Sequence, residues 1–260
     1  MPQDNLSIKG KMSKMFNVDF HSTKDDIWLQ NANTLSRLIG YLGILLPFLL
    51  WGFLLLINGH LKVLPSISHY YFTRSNVIFI CVVSLIAIFL LVYKSSKSGF
   101  ICSTLAAIGA LLLLLFPTNA LVDSCCKICN SVSIAYVDDN PYRNAFHFIS
   151  AALFLGSLAV MSLLVFPKDN LLRIKKESLL KDEAIKTCNP DKAKKQNSVY
   201  LVCGIVMVIA LLIIAGGSSI DSVFNGYYTR NNLTFWMEAI AVEAFGISWL
   251  VRGERIFKSK

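Results

Sequence analysis

Long apolar runs alternate with short polar connections along most of the chain. Each run consists mostly of Leu, Ile, Val and Phe, and about 20 helical residues are needed to cross a hydrocarbon core roughly 30 Å thick. Strands of a membrane barrel are shorter and alternate apolar with polar residues, so the pattern favours helices. We predict an all-α integral membrane protein, a bundle of six transmembrane helices with spans at about 38–57, 77–93, 100–116, 146–166, 199–215 and 234–251.

The composition agrees with this pattern. The chain has 260 residues, of which 55% are hydrophobic and 16% are charged, and this balance is typical of a membrane protein. We expect residues 1–35 to form a cytoplasmic segment, residues 36–252 the transmembrane domain, and residues 253–260 a cytoplasmic tail. No short apolar core with a small-residue cleavage site follows the first lysines, so we expect no cleaved signal peptide.

The basic residues predict the orientation of the bundle. With the amino terminus in the cytoplasm, 20 of the 25 Lys and Arg residues fall on the cytoplasmic side and five on the other. The asymmetry alternates with every span, so we predict that both termini are cytoplasmic. The net charge of +9 then reflects topology, and we expect no nucleic-acid binding. The basic cytoplasmic loop, residues 168–198, either contacts anionic lipid headgroups or is a solvated linker.

Chemically varied side chains are concentrated in the connections on the outer side. The first of these contains the stretch LPSISHYYFTRSN, residues 64–76, and polar residues of the fourth and sixth spans lie near the same face. Such a set at the end of an apolar bundle is a candidate ligand pocket. Its predicted members are Ser66, Ser68, His69, Tyr70, Tyr71, Arg74, His147, Ser150, Arg230 and Glu238.

Three of these residues are ionisable and are expected at one depth. His147 opens the fourth span and Glu238 lies about four residues, hence roughly 6 Å, into the sixth, while His69 lies in the first outer connection. One hypothesis is that the three side chains are metal ligands that hold a zinc ion with an open position. The other is that His147 and Glu238 are hydrogen-bonded groups that fix the packing, because an unpaired charge inside a span is costly. Arg74, Arg230 or His147 could then be the partner of Glu238.

Three cysteines lie close together in the third connection, in the sequence SCCKIC. An outer connection lies in an oxidising compartment, so we expect a disulfide among Cys125, Cys126 and Cys129. Adjacent cysteines form a strained bridge, so Cys129 is the expected partner of one of the other two.

Four phrases resemble a group of mostly uncharacterised six-helix membrane proteins. They are SISHYYFT, LFPT, FHFISAALFLGSLA and FWMEAIAVEAFGISWLVRG. The group is distantly similar to the damage-regulated autophagy modulator-like family, which also has an Ile-Ser outer loop and a histidine opening the fourth span. The resemblance implies a role in lipid and membrane processes. Carried over to this chain, it points to Ser66, Ile67, Ser68, Tyr70, Tyr71, His147 and Glu238.

A looser similarity is to the ceramidase and progestin-receptor-like membrane hydrolases. Those enzymes have a zinc site with an HxxxH motif and seven spans, whereas this chain has six predicted spans and no HxxxH. Zinc-dependent amide hydrolysis therefore has weak support from the motifs.

Three functions follow as hypotheses. The first is a multi-pass membrane protein that binds or handles a lipid or small ligand in an outward-facing pocket. The second is a metal-dependent hydrolase acting on lipid headgroups or acyl amides, and the third is a small-solute transporter. Membrane lipids are the expected partners, in a plasma membrane or a bacterial inner membrane.

Overall fold

The computed structural model describes residues 32–93, 95–119, 132–178 and 190–253. These residues are almost entirely helical, with one short 3-10 helix, Ile67–Phe72, and one isolated bridge between Thr73 and Ser133. The described part contains nine α-helices, which are α1 Ala32–Asn58, α2 Asn76–Val92, α3 Lys97–Leu115, α4 Pro141–Val160, α5 Phe166–Ser178, α6 Pro190–Ala215, α7 Gly217–Val223, α8 Tyr227–Arg230 and α9 Leu233–Arg252.

The helices agree with the predicted all-α membrane class. Five of those in the described ranges are long and apolar enough to cross a membrane, and one of these is the continuous helix Pro141–Leu172 that joins α4 to α5. The sixth apolar helix, α2, is shorter, with 17 residues. The chain is therefore consistent with a membrane-embedded protein.

Each of the six apolar helices begins before its predicted span. The fourth was expected from about residue 146, yet α4 begins at Pro141. The side chain of Asn140 accepts hydrogen bonds from the backbone N–H groups of Tyr142 and Arg143, at 2.9 and 3.1 Å. An Asn cap followed by Pro at the first helical position is a strong helix start, so the helix begins in polar sequence that hydropathy alone does not detect.

The junction of α4 and α5 is a π-helical turn, Met161–Val165. It ends two residues before Pro167, which has no N–H group and whose ring would clash with the carbonyl of an ordinary preceding turn. The wider turn keeps the helix continuous and brings the side chain of Leu163 against Gly204 of α6. A Cβ atom on Gly204 would lie 2.4 Å from Leu163 Cγ. Pro167 is thus a proline inside a continuous apolar helix, as Pro47 is in α1, and the predicted spans left it outside.

Two ends of the bundle can be distinguished by their contacts. At one end, which we call the charged end, Arg37 Nε donates to the Gly253 carbonyl at 2.7 Å, so the start of α1 and the end of α9 lie together. At the other end, which we call the site end, Phe235 N donates to the Pro65 carbonyl at 3.0 Å. The connections at the site end are residues 59–75, 116–119, 132–140 and 216–232.

Glycines set the closest helix contacts. The helix α9 packs mainly on α1 and α6, and α4 packs mainly on α3. A Cβ atom on Gly109 of α3 would lie 2.6 Å from the backbone nitrogen of Phe154 and 2.9 Å from the Ser150 carbonyl oxygen of α4. Backbone atoms cannot yield as a side chain would, so these helices touch only because residue 109 is glycine.

We expect Gly109→Ala to lower the free energy of unfolding by about 1–3 kcal/mol, because α3 and α4 must separate to admit one methyl group. Gly156→Ala is the matched control in the same helix pair, since a Cβ atom there meets nothing within 4 Å. The free energy of unfolding of the control should rise by about 0.5 kcal/mol, because alanine has a higher helix propensity than glycine. Reversible unfolding in mixed micelles measures both values, and equal effects would contradict this packing.

Candidate functional site

A polar site lies at the site end and is built around four consecutive residues, Ser66 to His69, which we call the SISH segment. The start of α9 holds the chain just before it. Asn232 Nδ2 donates to the Val63 carbonyl at 2.9 Å, and Phe235 N donates to the Pro65 carbonyl. Asn232 has φ 51°, a left-handed conformation that asparagine adopts more readily than most residues. The SISH segment then turns directly into the 3-10 helix.

Glu238 of α9 is bound to the backbone of the SISH segment. Its Oε2 atom accepts a hydrogen bond from Ile67 N at 2.5 Å, and its carboxylate also accepts from the backbone N–H group of Ser68. A carboxyl oxygen can accept a hydrogen bond in either protonation state. The carboxylate therefore joins the first connection to α9.

His147 of α4 holds the SISH segment from the opposite side. Its Nδ1 atom lies 2.9 Å from the Phe116 carbonyl oxygen, and its Nε2 atom lies 3.0 Å from Ser68 Oγ. The side chain is buried, with 4% exposed. A carbonyl oxygen can only accept, so Nδ1 carries the proton and Nε2 accepts the hydrogen bond from the Ser68 hydroxyl group.

His69 differs from His147 because one of its ring nitrogens remains available. Its Nδ1 atom lies 2.6 Å from Ser66 Oγ, whereas Nε2 has no hydrogen-bond partner within the part of the chain that the structure describes. The residue is half-buried. Burial lowers the pKa of His69 from the usual 6.5 to about 4, and nearby His147 adds to the effect. The ring is therefore neutral at pH 7 and can offer Nε2 to a ligand.

The lowered pKa of His69 predicts a pH dependence of stability. Between pH 6.5 and about 4 the unfolded chain binds a proton at this residue and the folded chain does not. Stability contributed by the neutral ring is thus fully present above pH 6.5 and is lost as the pH falls through this window. We expect the wild type to lose about 1 kcal/mol per pH unit more than His69→Asn, whose amide keeps a hydrogen-bonding group near Ser66 and does not titrate. Parallel unfolding profiles of the two proteins would contradict this result.

Several predicted members of the pocket lie elsewhere. Tyr70 is buried against Phe235, with ring centroids 6.0 Å apart, because its ring belongs to the core below the connection. Ser150 donates its hydroxyl hydrogen bond to the carbonyl of Phe146 in its own helix, at 2.7 Å, and not to the SISH segment. Tyr71 packs edge-on against Phe79 of α2.

None of the three predicted partners of Glu238, which were Arg74, Arg230 and His147, has a hydrogen bond or ion pair with it among the described residues. Arg74 is exposed, and the side chain of Arg230 donates to the carbonyl oxygens of Asn225 and Gly226 in its own loop, at 2.7 and 3.2 Å. Backbone N–H groups take their place at the carboxylate, and they have no signature in the sequence.

The predicted zinc ligands do not form a coordination set. Within residues 32–93, 95–119, 132–178 and 190–253, no group of three or more His, Cys, Asp or Glu side chains could hold a metal ion. His147 and Glu238 approach the SISH segment, of which His69 is the last residue. The three side chains nevertheless bind different groups: a different serine hydroxyl for each histidine, and backbone N–H groups for the glutamate. The predicted disulfide cysteines, Cys125, Cys126 and Cys129, lie outside the described residues.

The Phe116 carbonyl belongs to the site and was not predicted from the sequence motifs. The helix α3 ends at Leu115 and Pro117 follows Phe116, and the last carbonyls of a helix have no partner within it. Arg143 Nε donates to the Pro117 carbonyl at 3.2 Å, and the rings of Phe116 and Phe146 stack with centroids 5.3 Å apart. The sequence signal for this contact was a helix end before proline, opposite an apolar span with a histidine near its start.

Comparison with protein-family models, with curated proteins and with solved structures gives no match. The resemblance to the damage-regulated autophagy modulator-like family thus stays a prediction, and the function is argued from the site alone.

Proposed function

We propose that this is a multi-pass membrane protein that binds a lipid or another small amphiphilic ligand at the site end. The imidazole of His69 is the group that contacts the polar part of the ligand. The observation that carries the proposal is the open Nε2 atom of His69, on a segment that Glu238 and His147 hold in place. A fixed segment presents this nitrogen without an ordering cost on binding.

An amphiphile suits the surroundings of the site. Apolar side chains exposed on the first turns of α4 include Phe146, Phe148 and Ile149, and Trp236 is exposed on α9. Such residues in a membrane protein face lipid chains, and aromatic ones favour the level of the headgroups. A ligand with its polar group at His69 can therefore keep its acyl chains beside these residues.

The topology is part of the same proposal. The 17 residues of α2 rise by about 25 Å at roughly 1.5 Å each, which is enough for a sixth span across a locally thinned bilayer. Six spans with both termini cytoplasmic would place the site end outward, in a plasma membrane or a bacterial inner membrane. Labelling of Lys175→Cys and Asp139→Cys variants in intact cells tests this, since the two positions should react from opposite sides.

Photo-crosslinking tests the binding function. The full chain is reconstituted in nanodiscs containing phosphatidylcholine with a diazirine close to the headgroup, and crosslinked peptides are mapped by mass spectrometry. We expect crosslinks at the SISH segment, and about a tenfold loss of them in His69→Ala, because one hydrogen bond is worth about 1 kcal/mol or slightly more.

The matched control is His60→Ala. His60 lies at the same end of the bundle but outside the SISH segment, so its removal should leave the crosslinks unchanged. Crosslinking that is absent at the SISH segment, or that falls equally in both variants, would refute the proposed site.

A further inference from the structure

We propose that Ser68 is a nucleophile for acyl transfer, that His147 is its general base, and that the substrate class is the acyl ester of a membrane lipid. The inference rests on the proposed function, because the lipid must bind at the site end for its ester to reach Ser68. It adds a reaction and a nucleophile to a site that was otherwise described as a binding site.

The hydrogen bonds around His147 have the direction that such a reaction needs. The Phe116 carbonyl oxygen accepts a hydrogen bond from Nδ1 at 2.9 Å. The lone pair of Nε2 is therefore directed at Ser68 Oγ, at 3.0 Å, and can take its proton. A serine hydroxyl group needs an adjacent base, and the base needs a third group that fixes its tautomer and orientation. Here the Phe116 carbonyl is the third group.

The three groups are held by separate, rigid contacts. Phe116 directly follows the last residue of α3 and stacks on Phe146, the residue before His147. The close approach of α3 to α4 at Gly109 fixes the two helices. The backbone N–H group of Ser68 donates to Glu238. Ser68 has 7% of its surface exposed. Most of the residue is therefore shielded from water, and a small part of its surface stays accessible.

The second serine–histidine pair in the SISH segment lacks this arrangement. Ser66 Oγ also lies close to an imidazole nitrogen, at 2.6 Å from His69 Nδ1. Among the described residues no carbonyl or carboxylate fixes the other nitrogen of that ring. The nucleophile is therefore assigned to Ser68, and His69 remains the ligand contact.

The reaction balances with a lipid ester and an acceptor hydroxyl group as the two reactants. Ser68 Oγ attacks the ester carbonyl carbon, and its proton moves to His147 Nε2. The bond between the carbonyl carbon and the alcohol oxygen breaks, and the departing alcohol takes that proton. An acceptor alcohol or water then attacks the acyl carbon and loses its proton to His147. The bond between that carbon and Ser68 Oγ breaks, and His147 returns the proton to Ser68.

Glu238 limits the expected rate. The N–H groups of Ile67 and Ser68 already donate to its carboxylate and are not offered to the developing oxyanion. A donor of that kind is worth about a hundredfold or more in rate. Slow turnover is therefore expected. For this reason the test measures a single covalent modification of Ser68 and not repeated turnover.

The experiment uses a fluorophosphonate with a long alkyl chain and the full chain in phosphatidylcholine nanodiscs. Serine oxygen displaces fluoride from phosphorus, and the labelled peptide is identified by mass spectrometry. We expect labelling of Ser68 in the folded wild type and none after heat denaturation, because an isolated serine is not nucleophilic at neutral pH. Ser68→Ala should abolish labelling, and His147→Asn should slow it by about a hundredfold. Ser150→Ala, a buried serine of α4 outside the site, should label as the wild type does.

The outcomes separate the two proposals. If phosphatidylcholine crosslinks to the SISH segment but the folded wild type is not labelled, or is labelled at another serine, the acyl-transfer inference is overturned and the binding function stands. If crosslinking is absent as well, the binding function fails with it. The wild-type peptide map decides the assignment even if His147→Asn does not fold.

Discussion

Arg252→Met should lower the free energy of unfolding by about 3 kcal/mol, because it leaves a largely buried carboxylate without its charged partner. Arg252 and Asp169 form an ion pair at 2.9 Å with 21% and 10% of their side chains exposed. The guanidinium group also donates to Tyr93 OH at 3.0 Å and lies over the ring of Phe166. One side chain therefore joins α9 to α5 and to the connection after α2 at the charged end.

A double variant isolates the contribution of the charge pair. Arg252→Met with Asp169→Leu removes both charges, so it should be less destabilised than Arg252→Met alone. Arg37→Met is a useful comparison, since Arg37 makes one hydrogen bond to a carbonyl group at the same end and should cost about 1 kcal/mol. Reversible unfolding in mixed micelles measures all three variants. A double variant that is the least stable of the set would contradict an ion-pair origin of the effect.

Glu238→Ala is expected to cost a similar amount, about 3 kcal/mol, for a different reason. Its loss leaves the N–H groups of Ile67 and Ser68 without an acceptor in a buried segment, and each such group costs about 1–3 kcal/mol. Because the segment is local, we expect the first connection to loosen before the rest of the bundle unfolds.

Glu243→Ala is the matched control for this prediction. Glu243 lies on the same helix, five residues further on, and has no hydrogen-bond partner among the described residues. Its removal takes an ionisable group out of an apolar span, so the stability should stay the same or rise. Equal losses from the two substitutions would show that the carboxylate contacts at the SISH segment are not the cause.

The helices of the bundle could be predicted from hydropathy, and their ends could not. Each predicted span lies on one of the apolar helices, because runs of Leu, Ile and Val give a high mean hydropathy over the whole window. The ends depend on local hydrogen bonds, as at Asn140, or on chain geometry, as at Pro167, where a π turn lets the helix continue. Neither feature changes the average hydropathy of a window.

The site was predicted in part, for a related physical reason. Helical rise and topology brought Glu238 and His147 to the depth of the SISH segment, and the structure places both against it. Their partners were not predicted, because they are backbone groups: the N–H groups of Ile67 and Ser68, and the Phe116 carbonyl. Side-chain chemistry suggested zinc for the two histidines and the glutamate, whereas each of these groups has a hydrogen-bond partner of its own.

The most direct test of the account measures hydrogen exchange of peptides covering residues 64–72 in the full chain, reconstituted in nanodiscs. The central claim is that Glu238 holds the SISH segment in place, so that His69 faces the ligand. We predict slow exchange at Ile67 and Ser68 in the wild type and in Glu243→Ala, and exchange at least tenfold faster in Glu238→Ala, as about 1.4 kcal/mol of lost protection would give. Fast exchange at these two amides in the wild type, or unchanged exchange in Glu238→Ala, would contradict the claim.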